Sequence, residues 1–156
     1  MEKGLEIESR LFGHIWIKES KIITFVDGLV GFPSMRDFAL IHDEEGADGK
    51  GIKWLQSLQD GNFALPVVNP LEIVEDYNPT VDDNLLEPLG TMGDDDMFVL
   101  VTIAVPKDVT KMTINLKGPI IINVSNGRAT QVVVENEDYD VKFPVYDILK
   151  ARKGGE

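Results

Sequence analysis

Strand-forming residues come in short runs along the whole chain, and this pattern limits the fold more than any other feature. β-branched and aromatic residues cluster between Gly, Pro, Asn and Asp. The pattern predicts strands at residues 5–10, 12–17, 22–26, 38–42, 52–58, 63–68, 97–104, 112–116, 119–124, 129–135 and 140–143. Many short strands favour an all-β, mainly antiparallel fold, a small closed barrel or pseudobarrel with one or two short helices, over a parallel α/β sheet.

Two local signals add a hairpin and a helix. Asn126-Gly127 lies between two apolar runs and predicts a type I′ turn, because both residues tolerate a positive φ. The helix begins at Thr80 as its N-cap and ends at Gly90, and Pro88 should kink or shorten its last turn. One apolar helix face is expected to contain Val81, Leu85, Leu86 and Leu89.

Length and composition indicate one domain. A chain of 156 residues with 43% hydrophobic content can bury one core but not two. We expect a single β-barrel domain over residues 1–145, a frayed tail over 146–156 and an exposed loop at 43–51. The sequence has no cysteine, which excludes disulfides and thiolate chemistry, and its apolar runs are too short to span a bilayer. Without a signal-like N-terminus, the chain is expected to be cytoplasmic and soluble.

Negative charge dominates the middle of the chain. The formal net charge is −12, and residues 54–106 contain no Lys or Arg. The acids in that stretch are Asp60, Glu72, Glu75, Asp76, Asp82, Asp83, Glu87, Asp94, Asp95 and Asp96. Such a surface disfavours direct binding to nucleic acid or membranes and favours a basic protein partner. The other reading, that the charge only maintains solubility, stays open.

Signals for catalysis are weak. His14 and His42 have no metal-binding spacing, no nucleophile elbow follows a strand, and the Asp run at 94–96 is typical of a solvated turn. We therefore expect no catalytic residue, no metal and no cofactor. A small β-barrel hydrolase or isomerase acting through two carboxylates remains the alternative, and it requires a deep pocket with facing acids. An oligonucleotide-binding barrel would need a basic groove with stacking aromatics, which the charge pattern argues against.

The stretch FVDGLVGFP at residues 25–33 has the wrong glycine spacing for a phosphate-binding loop, and a strand pattern follows it. It predicts two successive turns, one at Asp27-Gly28 and a second at Gly31. Leu29 is expected in the core of the domain. Phe32 fits either the core or a partner interface.

Several blocks along the chain resemble one known family. In order they are ITFVDGLVGFPSMRDFALI at 23–41, LQSL at 55–58, VVNP at 67–70, DY at 76–77, MTINLKGPIIIN at 112–123, Gln131 and DYDVK at 138–142. Each block is weak alone, but their order and spacing over residues 7–142 are specific. Together they resemble the FliW flagellar assembly factor family.

The resemblance implies a non-enzymatic regulator with a β-rich pseudobarrel fold. FliW-like proteins bind CsrA, a dimeric RNA-binding translational repressor, and antagonise its hold on flagellin messenger RNA. They could cover the RNA site directly or act from a neighbouring surface, and the resemblance favours the second, allosteric or noncompetitive mode. They also bind flagellin, so that accumulating flagellin frees CsrA and stops its own translation. The expected partners are therefore CsrA and flagellin, and the free protein is expected to be a monomer.

The shared blocks also suggest which residues contact partners. Polar and aromatic groups near strand ends and loops are the candidates. They are Phe32, Gln56, Ser57, Asn69, Pro70, Asp76 and Tyr77. The chain departs from the usual family pattern at Val30, Pro33 and Gly118, so contacts through the 28–33 turn are the least transferable.

Overall fold

The computed structural model describes residues 3–42, 52–93 and 95–154. Ten of the eleven predicted strands form there in whole or in part. The strand predicted at 140–143 was wrong, because residues 141 and 142 form a turn and a two-residue strand begins only at Phe143. The predicted loop at 43–51 lies outside the described residues, as does Asp94. The strands are β1 (Gly4–Ser9), β2 (Gly13–Lys18), β3 (Ile22–Phe25), β4 (Asp37–His42), β5 (Lys53–Ser57), β6 (Ala64–Val68), β7 (Met97–Ala104), β8 (Thr113–Ile114), β9 (Ile120–Asn123), β10 (Arg128–Gln131) and β11 (Phe143–Pro144).

Seven of the strands close into a barrel, which confirms the predicted fold class. The order around the barrel is β7-β6-β5-β4-β3-β10-β9, and β9 returns to β7 with Leu100 opposite Ile120. The pairs are antiparallel except β3 with β10, which run parallel. Strand β7 is long enough to pair with β9 through its first half and with β8 through its end. Strands β1 and β2 form a separate antiparallel hairpin.

Alternating side chains of the barrel strands supply more than one apolar cluster, as the two-residue period of a strand requires. In β7, Leu100 packs in one cluster with Phe25 and Phe38, whereas its neighbour Val101 packs in a second with Tyr77. A third cluster contains Leu89, Ile121, Val132 and Val134. The barrel is therefore covered by apolar packing on more than one side.

The predicted helix forms, but its start and length were wrong. Helix α1 covers only Asp83–Leu86, and a 3₁₀ turn at Glu87–Leu89 follows it. The N-cap is Asp82, whose carboxylate accepts a hydrogen bond from the backbone N–H of Asn84 at 3.0 Å. Thr80 lies two residues before this N-cap, and its N–H donates to the Asn136 side chain at 2.9 Å. Pro88 cannot donate an intrahelical bond, which ends the α-helical pattern.

The predicted β9–β10 hairpin also forms, with a different turn from the one expected. Asn123 faces Arg128 across a four-residue loop at 124–127, in which Gly127 has φ +76°. No non-glycine residue in the described segments has a positive φ, so the type I′ turn was wrong. The Asn126 side chain donates to the Leu89 carbonyl at 2.9 Å, which ties this loop to the 3₁₀ turn.

Residues after the predicted domain boundary form helix α2 (Tyr146–Gly154). Leu149 packs against the second apolar cluster, and its N–H donates to the Val145 carbonyl at 3.0 Å. The boundary at residue 145 itself stays a prediction. Within the described ranges, no helix has the length and apolar character needed to cross a bilayer.

Candidate functional site

The turn at residues 27–33 presents Val30 at its tip. The N–H of Phe32 donates to the Leu29 carbonyl at 2.8 Å, and Gly31 has φ +86°, as the third position of a type II turn requires. Leu29 is buried among the barrel residues, which confirms the prediction for it. Val30 is 57% exposed, and its N–H donates to the Gln131 side-chain carbonyl at 3.1 Å. This hydrogen bond holds the turn against the end of β10.

Beyond β10 the chain continues in an extended conformation that is bonded on one side. The N–H of Val132 donates to Pro119 O at 3.0 Å, and that of Val134 donates to Lys117 O at 2.9 Å. In an antiparallel pairing, alternate residues direct their backbone groups to opposite sides. Val133 and Glu135 therefore direct theirs away from residues 117–119.

Within the ranges that the structure describes, no neighbouring strand covers that other side. Strand β3 pairs with β10 only as far as Ala129 opposite Phe25. Among the described residues, none bonds to the backbone N–H or C=O of Val133 or Glu135. We call residues 131–135 the open edge. It has the unpaired donors and acceptors of an edge strand.

A groove separates the open edge from α1, and we call it the acidic groove. Two adjoining hollows of about 600 and 420 Å³ share Leu85, Val132 and Val133 and so form one open depression. Three segments line it, within residues 27–30, 80–88 and 130–136. Leu85 and Val133 line both hollows and Val30 lines one of them, and the side chains of all three are exposed.

Carboxylates surround the apolar centre of the groove. Asp27 lies in one hollow, and Asp82 and Glu135 lie in the other. Among the described residues, the lining includes no Lys, Arg or His. Arg128 borders the groove, where its guanidinium donates to the Pro88 carbonyl at 3.3 Å. An apolar patch between carboxylates suits a partner with apolar and basic side chains.

Three of the predicted partner-binding residues lie near the β5–β6 loop. Gln56 and Ser57 are fully buried. The Gln56 amide donates to the carbonyls of Ser57 and Phe63 and accepts from the Ser9 hydroxyl, and Ser57 Oγ accepts from the N–H of Gln59 and Asp60. Both side chains stabilise the loop. Phe32 is half exposed, with its ring edge-on to Phe63 at 5.1 Å between centroids.

The other four form a second group at residues 69–77. The Asn69 side chain caps the 3₁₀ turn Pro70–Glu72 by accepting from Leu71 N–H at 3.0 Å, and Pro70 is buried. Asp76 is exposed. In the described chain, no hydrogen bond or ring contact joins this group to Phe32, Gln56 or Ser57. The partner role of all seven residues stays a prediction.

Tyr77 is a core residue by its contacts. It is 7% exposed, its hydroxyl donates to the Leu116 carbonyl at 2.6 Å, and its ring packs on Tyr139. Burial, with a smaller effect of Tyr139, raises the pKa of the Tyr77 hydroxyl above its usual value. The Tyr77 hydroxyl therefore stays protonated and neutral in the folded protein.

The groove residues Val30, Leu85 and Val133 were not among the predicted site residues. Leu85 was placed on an inward helix face, and the structure leaves it 46% exposed because α1 has little more than one turn. The exposure of Val133 could have been predicted from the strand pattern. Residues alternate between the two faces of a strand, so a buried Val132 and Val134 leave Val133 exposed. The groove itself depends on long-range contacts that no local pattern encodes.

No group of His, Cys, Asp or Glu able to hold a metal ion was found in the described residues.

Comparison with protein families and known proteins gives a consistent result. The model of the FliW protein family matches residues 6–145. A flagellar assembly factor FliW from Lachnospira eligens is 41% identical over 94% of this chain and 97% of its own length. One from Thermotoga neapolitana is 37% identical over 94% of this chain and 97% of its own.

A solved structure also matches the fold. The crystal structure of a flagellar assembly factor FliW superposes with a TM-score of 0.80 at 29% identity, and the match covers 91% of this chain and 97% of that one. The barrel described above is thus shared along nearly the full length of both chains.

Proposed function

The chain belongs to the FliW family of flagellar assembly factors, and from that premise we propose that it is a non-enzymatic, protein-binding regulator in the cytoplasm. Its partners in this proposal are the translational repressor CsrA and flagellin. Binding of CsrA relieves repression of flagellin messenger RNA. Binding of flagellin occupies the protein and releases CsrA, so that flagellin limits its own synthesis. The free protein is a monomer.

The acidic groove is the single observation that carries this proposal. An RNA-binding partner presents basic residues, and carboxylates at Asp27, Asp82 and Glu135 provide the opposite charge. Val30, Leu85 and Val133 provide exposed apolar area between them, where a few buried anchors supply most of the affinity. The same negative charge repels RNA phosphates, which fits an antagonist that need not cover the RNA site itself.

Of the residues suggested by the resemblance, Phe32 and Asp76 have exposed side chains that a partner can contact directly. Gln56, Ser57, Pro70 and Tyr77 are buried, so they would act by fixing the loops that carry the contact surface. Asn69 would act in the same way through its cap of the 3₁₀ turn.

Reconstituted translation tests the proposed function. A flagellin message repressed by purified CsrA is translated with and without this protein, and the yield of flagellin is measured. We expect the protein to restore translation, and added flagellin to reverse that effect. Unchanged repression at a saturating concentration of the protein would contradict the proposal.

A further inference from the structure

The open edge has a geometry that the proposed function does not by itself require. We infer that it accepts an extended segment of a partner protein as an added strand, and that this segment carries Lys or Arg on either side of an apolar residue. The inference rests on the proposed function for the identity of the partners. It specifies how they are held.

Backbone chemistry supports strand addition. The Val133 N–H and C=O and the Glu135 N–H point away from residues 117–119 and have no partner in the described chain. An extended peptide that enters the groove can bond to all three groups, as in other complexes where a peptide extends a sheet edge. The side chains of Val132 and Val134 pack inward, so the edge is held rigidly by the third apolar cluster.

The lining of the groove specifies which peptide fits. Asp27 lies in the hollow at one end, whereas Asp82 and Glu135 lie in the hollow at the other. Leu85 and Val133 line both hollows and therefore lie between the charges. A strand with an apolar side chain flanked by cations matches this order of groups.

Charge also argues against a second copy of this chain as the occupant. Pairing two open edges would bring two sets of groove carboxylates together, and the chain has a net charge of −12. Like charges across an interface are unfavourable. Acidic side chains along an exposed edge commonly prevent self-association. The same carboxylates that repel a second copy of this chain attract a basic partner.

Replacing Val133 by proline tests the inference most sharply. Val133→Pro removes the outward N–H without breaking an internal hydrogen bond, because that N–H has no partner in the described chain. Val133→Ile is the matched control, since it keeps the β-branched shape, the apolar surface and the N–H. Affinity for CsrA and for flagellin is measured by calorimetry. We expect Val133→Pro to weaken binding about tenfold and Val133→Ile to stay within about threefold of the wild type.

The outcomes separate this inference from the proposed function. Wild-type protein that binds neither partner would overturn the proposed function and, with it, the inference. Wild-type binding that Val133→Pro leaves unchanged would overturn only the inference, and the acidic rim would then be a guard against self-association. Equal losses in both variants would also overturn it, because the side chain and not the N–H would carry the contact.

Amide exchange in the wild-type protein gives a second readout if Val133→Pro fails to fold. In the free protein, the amides of Val132 and Val134 should exchange slowly, and those of Val133 and Glu135 should exchange fast. Adding CsrA or flagellin should slow exchange at Val133 and Glu135. A bound complex in which both of these amides still exchange fast would contradict strand addition.

Discussion

At the scale of single residues, the turn at 28–33 depends on two glycines for different reasons. Both have a positive φ, +73° at Gly28 and +86° at Gly31. A Cβ at Gly28 would overlap the Pro33 carbonyl, whereas a Cβ at Gly31 would meet nothing within 4 Å. Gly28 therefore serves both the backbone conformation and the packing, and Gly31 serves the conformation alone.

This difference predicts unequal costs for two alanine substitutions. Gly31→Ala should lower the free energy of unfolding by about 1–2 kcal/mol through backbone strain. Gly28→Ala should cost at least about 1 kcal/mol more, because overpacking adds to the same strain. Urea unfolding of both variants measures the difference. Equal losses would contradict the packing role of Gly28.

Among the predicted interface residues, Tyr77 has buried contacts that predict a large contribution to stability. Tyr77→Phe removes the donor to the Leu116 carbonyl and should cost about 1–2 kcal/mol in unfolding free energy. Tyr77→Ala also empties the space beside Tyr139 and should cost about 3–5 kcal/mol. Thermal unfolding, with partner affinity measured on the folded fraction, checks this. A Tyr77→Phe variant that keeps full stability but loses binding would instead mark an interface residue.

At the scale of elements, most of the strands were predictable because their signal is local. Apolar and polar residues alternate within each strand, and Gly, Pro, Asn and Asp separate the strands. Distant partners bind the segment before α1 and the loop at 124–127, where the predicted helix start and turn type were wrong. Asn136 binds the Thr80 N–H, and the Asn126 side chain binds the Leu89 carbonyl. Neither contact is visible from neighbouring residues in the sequence.

The acidic groove could not be predicted from the sequence, because it too is formed by contacts between distant parts of the chain. Its three lining segments, within residues 27–30, 80–88 and 130–136, are separated by about fifty residues each along the chain and meet through closure of the barrel. The sequence indicated an acidic surface and a basic partner, but it could not place Glu135 beside Asp82.

Helix α2 provides a test at the scale of elements. Ending the chain after residue 145 removes Leu149 from the second apolar cluster and should lower the unfolding free energy by about 1–2 kcal/mol. Ending it after residue 154 is the control and should leave stability unchanged. Chemical denaturation compares the two. Equal stability of both truncations would show that α2 does not belong to the folded unit and would support a domain that ends at residue 145.

At the scale of the whole molecule, the charge distribution should govern how fast a basic partner associates. Asp27→Lys combined with Glu135→Lys reverses two groove charges without removing the Asp82 cap of α1. Association with CsrA should slow about tenfold at low salt, and its salt dependence should flatten.

A matched variant separates local from global charge. Glu19→Lys with Glu75→Lys changes the net charge by the same amount at exposed positions outside the groove lining. Stopped-flow association rates at several ionic strengths compare the two double variants. Equal slowing by both would indicate that total charge, and not the acidic groove, steers the partner.

Calorimetric titration with both proposed partners would show whether the protein switches between them. The purified protein is titrated with CsrA, then with flagellin, and then with CsrA after saturation with flagellin. We expect binding in the first two titrations and none in the third, because bound flagellin should exclude CsrA. Failure of both CsrA and flagellin to bind, or undiminished binding of CsrA to the flagellin-saturated protein, would contradict the proposed switch.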